Sequence, residues 1–227
     1  MNIKRLTNAV VAPAAICLAI GLSACSSATS QGLSSRQFDN PAAKSGNAKS
    51  QPSMDSVPVL DLALSVNDAY AAIPHRRTAM DFAASNAPDQ DKRYLEVAFH
   101  LIDQAIRLRV TAYQKFSRTD GGAPQLISDL DRVIDFLQNV EAPAHLTSYH
   151  QHLIQGLSDQ RAFFAEWQTQ GQQFQFGSPD KLGSHPKIQS ASTALREAYQ
   201  ILMQEYPGEG AKNKDAFFDY HCALDFI

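Results

Sequence analysis

From residue 88 to residue 206 the apolar residues recur at intervals of three and four, in stretches that open on proline and close on glycine or proline. That spacing returns to one side of an α-helix at each turn and never alternates as a half-buried strand must. The first stretch starts at Pro88-Asp89-Gln90-Asp91, where acids and a proline suit the free N–H groups and positive end of a helix. Its stripe is Tyr94, Val97, Ala98, Leu101, Ala105, Leu108, Ala112, Phe116, and Asp120-Gly121-Gly122 ends it. A second opens at Pro124 with Leu126, Leu130, Val133, Leu137 and Val140. A third opens at Pro143, puts Leu146, His150, Leu153, Leu157, Phe164 and Trp167 on one face, and stops at Gly171 or Gly177. A Gln-rich turn with Phe174, Phe176 and Pro179 leads to the fourth, from Pro186 through Ile188, Ala191, Leu195, Tyr199, Leu202 and Tyr206 to Pro207-Gly208.

Shorter elements flank these four. Leu62, Val66, Ala69, Tyr70 and Ile73 predict a short helix stopped by Pro74, followed by a loop His75-Arg76-Arg77-Thr78. The segment to Asn86 has no clear period, and Met80 and Phe82 are expected to tuck it onto the core. Residues 215–227 carry Phe217, Phe218, Tyr220 and Phe226, a short helical segment dense in aromatics. The expected fold is all-α, an up-and-down bundle of about four long helices closed by the short first helix and the C-terminal segment.

The N-terminus reads differently. Lys4 and Arg5 precede an apolar run from Ala9 to Gly21, too short for a comfortable span, which needs about 20 residues. The run ends in Leu22-Ser23-Ala24-Cys25, which resembles the lipobox of bacterial lipoproteins. The resemblance covers roughly the first 26 residues. It implies that residues 1–24 are a signal peptide removed before Cys25, that the Cys25 thiol carries diacylglycerol, and that the new amino group is acylated. Several acyl chains make a stable anchor, since each buried CH₂ contributes about 0.8 kcal/mol. Ser26 after the cysteine fits transfer to the outer membrane of a Gram-negative cell, with the domain at its periplasmic face. Residues 25–57 are otherwise rich in Ser, Ala, Gln, Asn, Gly and Lys, which predicts a flexible tether. The folded domain is then 58–227.

Without Lys4 and Arg5 the 20 basic residues become 18, against 23 acidic, so the mature chain has a formal charge of −5. That balance offers no general attraction to nucleic acid. Cys17 leaves with the signal and Cys25 takes lipid, so Cys222 stands alone and no intramolecular disulfide can form. The core must hold the fold.

Candidate chemistry is sparse. His221 shares a helical face with Phe217 and Leu224, and Asp225 lies one turn beyond, a spacing at which a carboxylate could orient an imidazole. Cys222, next to His221, points elsewhere on a helix and is expected to act as a small apolar group. His75, Arg76 and Arg77 form a cationic cluster after a helix end; the arginine forks could hold a carboxylate or phosphate, or pair with the chain's own acids. His145, His150 and His152 suggest a metal cluster, but positions 150 and 152 fall on opposite sides of a helix, and His150 lies on the apolar stripe. His100 lies opposite its helix's stripe. No catalytic residue, metal set or cofactor is assigned beyond the lipid on Cys25. The expected function is a non-enzymatic module, tied to a membrane, that binds an envelope protein or small ligand. The alternative is a metal- or anion-binding domain using His75, Arg76, Arg77, His221 and Asp225.

Overall fold

Among the described residues, six α-helices follow the prolines and caps written into the chain. A computed structural model describes residues 51–73, 75–116, 123–170 and 183–225; the expected signal peptide, Cys25, the expected tether up to residue 50, and Phe174, Phe176 and Phe226 lie outside these. The helices are α1 Val66–Ala72, α2 Asp89–Phe116, α3 Pro124–Asn139, α4 Thr147–Gln170, α5 Pro186–Glu205 and α6 Ala211–Asp225. No strand occurs among the described residues. Pro124 and Pro186 occupy first-turn positions, where a missing N–H costs nothing and the ring fixes a helical φ.

Successive helices are neighbours from α2 to α6, α6 returns against α2, and α1 packs on α2. The fold is an all-α bundle, and α2 is its axis. Leu95, Phe99, Ile102 and Ile106 are buried as fully as the predicted stripe of Tyr94, Leu101, Ala105 and Leu108, so α2 has apolar contact on several sides. Arg93, Glu96 and His100 keep one narrow side of it exposed. At 28 residues it is about 42 Å long.

Four boundaries differ from expectation. Helix α1 begins at Val66 rather than Leu62, because the Ser65 hydroxyl accepts from the Asp68 N–H and caps it there. Residues 57–64 instead run extended over the bundle, and side chains of α2 and α3 take up their carbonyls. Gln104 donates to Pro58, Arg132 to Val59, and Arg107 to both Leu62 and Leu64. Val57 and Leu60 are buried, so the chain joins the core one residue before the expected boundary. Pro143 leads into a single 3-10 turn, Ala144–Leu146, before α4. Helix α6 starts at Ala211, earlier than the aromatic density suggests; its polar first turn belongs to the helix because buried Asn213 is bonded on both sides.

The tightest helix pair is α4 with α5. A Cβ built on Gly156 would lie 2.7 Å from both Cγ and Cδ2 of Leu195. Only glycine at 156 permits this approach.

Candidate functional site

The segment with no readable period, residues 75–87, is a strap laid along α6 and running against it. Arg76 Nε donates to Asp219 at 3.1 Å, and its guanidinium also reaches Asp215 at 3.3 Å. The Thr78 N–H donates to the same Asp219 carboxylate. Further along, the Asp81 N–H donates to Asn213 Oδ1 and Lys212 pairs with the Asp81 carboxylate. At the far end Glu209 receives the Ser85 hydroxyl at 2.6 Å, the Asn86 N–H at 2.8 Å and the Ala87 N–H at 3.2 Å, while Asn213 donates to its other oxygen. The strap's backbone N–H groups thus find acceptors in side chains rather than in a helix or sheet.

Arg77 turns inward. Its fork is bidentate on Asp103 of α2, with Nη2 at 2.6 Å and Nε at 3.3 Å, and Nη2 also donates to the Tyr220 hydroxyl. The Tyr70 hydroxyl donates to Asp103 as well, and the guanidinium lies 5.9 Å from the Tyr70 ring centroid and 5.7 Å from that of Tyr220. The hydrogen bond to Asp103 holds the guanidinium charged, while burial and the nearby Asp103 charge push the Tyr220 hydroxyl up to about 12. Both arginines of the basic cluster are therefore engaged by the chain's own carboxylates. His75 keeps outside this network: its Nδ1 lies 2.6 Å from the Arg76 carbonyl oxygen, and its ring sits beside Tyr70 and Phe218.

His221 is elsewhere. It is 2% exposed, ringed by Phe99, Tyr149 and Tyr199, and its Nδ1 lies 2.7 Å from the Phe217 carbonyl. Nδ1 must carry the hydrogen there, which makes Nε2 the acceptor. Burial pushes its imidazole down to about 4, so it is neutral at physiological pH. Nε2 and the Tyr149 hydroxyl have no hydrogen-bond partner among the described residues. Asp225 does not orient this ring; it accepts instead from Ser192 Oγ of α5 at 3.0 Å. The five candidate residues thus fall into four environments: Arg76 and Arg77 in the strap's ion pairs, His75 beside Tyr70 and Phe218, His221 in the aromatic core, and Asp225 against α5.

Beside Asp225, Cys222 completes the α6 side of a cleft of about 650 Å³, whose α5 side is Ile188, Gln189, Ser192, Thr193 and Arg196, with Gly183 at its edge. Burial raises the thiol of Cys222 above its ordinary value, and burial likewise raises the Asp225 carboxyl. The last turn of α6 is held from behind: fully buried Arg109 donates to the Ala223 carbonyl and Gln160 Nε2 to the Leu224 carbonyl at 2.7 Å. These are two of the carbonyls a helix end leaves unpaired, and a cation suits that end. Burial brings the Arg109 guanidinium down to about 10, still charged at neutral pH.

The remaining histidines are dispersed. His150 Nδ1 lies 2.9 Å from the Tyr94 hydroxyl in the core, His152 pairs with Glu197 of α5, and His100 is exposed and meets Gln104. His145 Nε2 sits 3.1 Å from the buried Asp91 carboxylate, which also accepts from Tyr206. Asp103, Glu209, Asn213 and Asp219 organise the strap and were not singled out from sequence. The available signal was Asp215 and Asp219, one turn apart on an otherwise aromatic helix. No protein-family model, curated protein or solved structure matches the chain. No described helix is long and apolar enough to cross a membrane.

Proposed function

We propose that this chain is an outer-membrane lipoprotein, anchored through acyl chains on Cys25, whose helical domain faces the periplasm and works by binding rather than catalysis. The observation that carries the address is Leu22-Ser23-Ala24-Cys25 at the end of a short apolar run behind Lys4 and Arg5. The binding reading is supported by how the polar groups are used. Arg76 with Asp219 ties the strap to α6, Arg77 with Asp103 ties it to α2, and Glu209 holds its far end through Ser85, Asn86 and Ala87, an arrangement that builds a rigid surface. The alternative, an anion site at residues 75–77, is less well supported, because Asp219 and Asp103 already occupy both arginine forks.

The test is Cys25→Ala in the native host, with a photo-crosslinking residue at exposed Phe218. The wild-type protein should sediment with membranes and cross-link there to an envelope component, and the variant should lose both. A variant that stays membrane-bound removes the anchor; a wild type that cross-links to nothing at Phe218 or at exposed Val59 removes the binding partner.

A further inference from the structure

The cleft between α5 and the end of α6 brings two opposite charges to one opening without joining them. Arg196 lies on the α5 face formed by Ile188, Gln189, Ser192 and Thr193, positions separated by one helical turn or by one residue. Its Nε donates to the Ser192 carbonyl one turn back, at 3.2 Å, which fixes the side chain along its own helix. Its terminal nitrogens make no hydrogen bond or salt bridge among the described residues, while its charge acts through space to favour the ionised Asp225 carboxylate. Asp225 receives the Ser192 hydroxyl on one carboxylate oxygen, which leaves the other to the cleft. Behind it stands Arg109, buried and charged, which keeps the carboxylate from being an isolated negative site.

We propose that this cleft binds a small amphoteric molecule, its carboxylate on Arg196 and its ammonium on Asp225. A planar guanidinium with two free nitrogens matches a carboxylate, and a carboxylate held by a single hydroxyl matches an ammonium. A simple anion would meet Asp225 and a simple cation would meet Arg196, so one charge alone is disfavoured at either end. Thr193 and Gln189 add a hydroxyl and an amide to the lining. The volume, about 650 Å³, is in the range of small-molecule sites. The ligand class is a free α-amino acid or a short peptide, which share these two termini. The proposal rests on the binding reading above and gives that reading a ligand.

The experiment titrates the full mature protein in detergent micelles, by calorimetry, with L-alanine and with L-alanyl-L-alanine. N-acetyl-L-alanine, which lacks the ammonium, and L-alaninamide, which lacks the carboxylate, are the controls. One zwitterion should bind saturably and each control at least about tenfold more weakly. Preference for the amino acid or for the dipeptide identifies the source. Arg196→Met should bind the zwitterion and L-alaninamide alike, and Asp225→Asn should bind the zwitterion and N-acetyl-L-alanine alike, an effect that a structural role would not produce. Arg196 is exposed, so its variant keeps the fold and decides the matter even if Asp225→Asn is unstable. Absence of saturable binding up to about 10 mM, equal binding of the controls, or unchanged binding in Arg196→Met overturns the site. If cross-linking at Phe218 persists in that case, the binding reading survives without this ligand; if both fail, it falls too.

Discussion

Replacing Gly156 by alanine should destabilise the protein, although the same change in an open helix would stabilise it. Alanine gains about 1 kcal/mol over glycine in a helix interior. Here the new methyl would sit 2.7 Å from Leu195 Cγ and Cδ2 and 3.5 Å from the Ala191 carbonyl oxygen. Leu195 is fully buried and Cγ is its branch point, so it cannot swing aside, and α4 and α5 must separate. Overpacking of this kind costs about 1–3 kcal/mol, and a mid-range 2 leaves a net loss of about 1. Leu195→Ala alone should cost about 3 kcal/mol through the cavity it leaves. In the double variant the clash is gone and the helix gain is realised, so the loss should be about 2 rather than the additive 4, a coupling of about 2 kcal/mol. Urea unfolding followed by circular dichroism measures all four corners of the cycle. Additive losses, or a Gly156→Ala variant more stable than wild type, would refute the close approach of α4 and α5.

Other consequences follow from the strap and the buried groups. Asp219→Ala removes the acceptor of the Thr78 N–H and of Arg76 Nε, and should cost about 1–3 kcal/mol and speed hydrogen exchange selectively over residues 76–81. Between pH 6.5 and about 4 the unfolded chain protonates His221 while the folded protein keeps it neutral. Stability should therefore fall by up to about 3 kcal/mol as pH drops through that window, and His221→Gln should remove this portion of the pH profile. Glu209 acts lower: burial pushes its carboxyl up, but the bonds from Asn213, Ser85, Asn86 and Ala87 outweigh this and hold it below the ordinary value. Its contribution is present above about pH 4.3 and is lost as pH falls through the lowered folded value, so Glu209→Gln should be less stable than wild type at pH 7 and the difference should close on acidification. Native Cys222 should react with maleimide at least about tenfold more slowly than a free thiol and at the ordinary rate after unfolding; a fast native reaction would mean an activated thiolate.

What the sequence made legible was local. The prolines at 124 and 186 placed two helix starts, and the three-four spacing of Tyr94 to Phe116 placed α2. That spacing did not reveal that Leu95, Phe99, Ile102 and Ile106 are also covered, because which faces of a helix are buried depends on how many neighbours arrive. His150 was readable as a core histidine from its place on an apolar stripe. The strap was readable as an irregular connection tucked onto the core by Met80 and Phe82, but the partners of its polar groups were not. Its links join residues 76–87 to residues 209–220, and no local pattern encodes a pairing across such a separation. The His221–Asp225 spacing suggested a pair, yet the backbone carbonyl of Phe217 was nearer to the imidazole, and Ser192 of another helix was nearer to the carboxylate.

The proposed anchor is tested most directly by the intact mass of the protein purified with detergent from the membranes of its native host. A chain beginning at Cys25 and heavier than its sequence by a diacylglycerol and an acyl group is the expected result. A mass equal to the bare sequence from any starting residue, in protein recovered from the aqueous fraction, would contradict it.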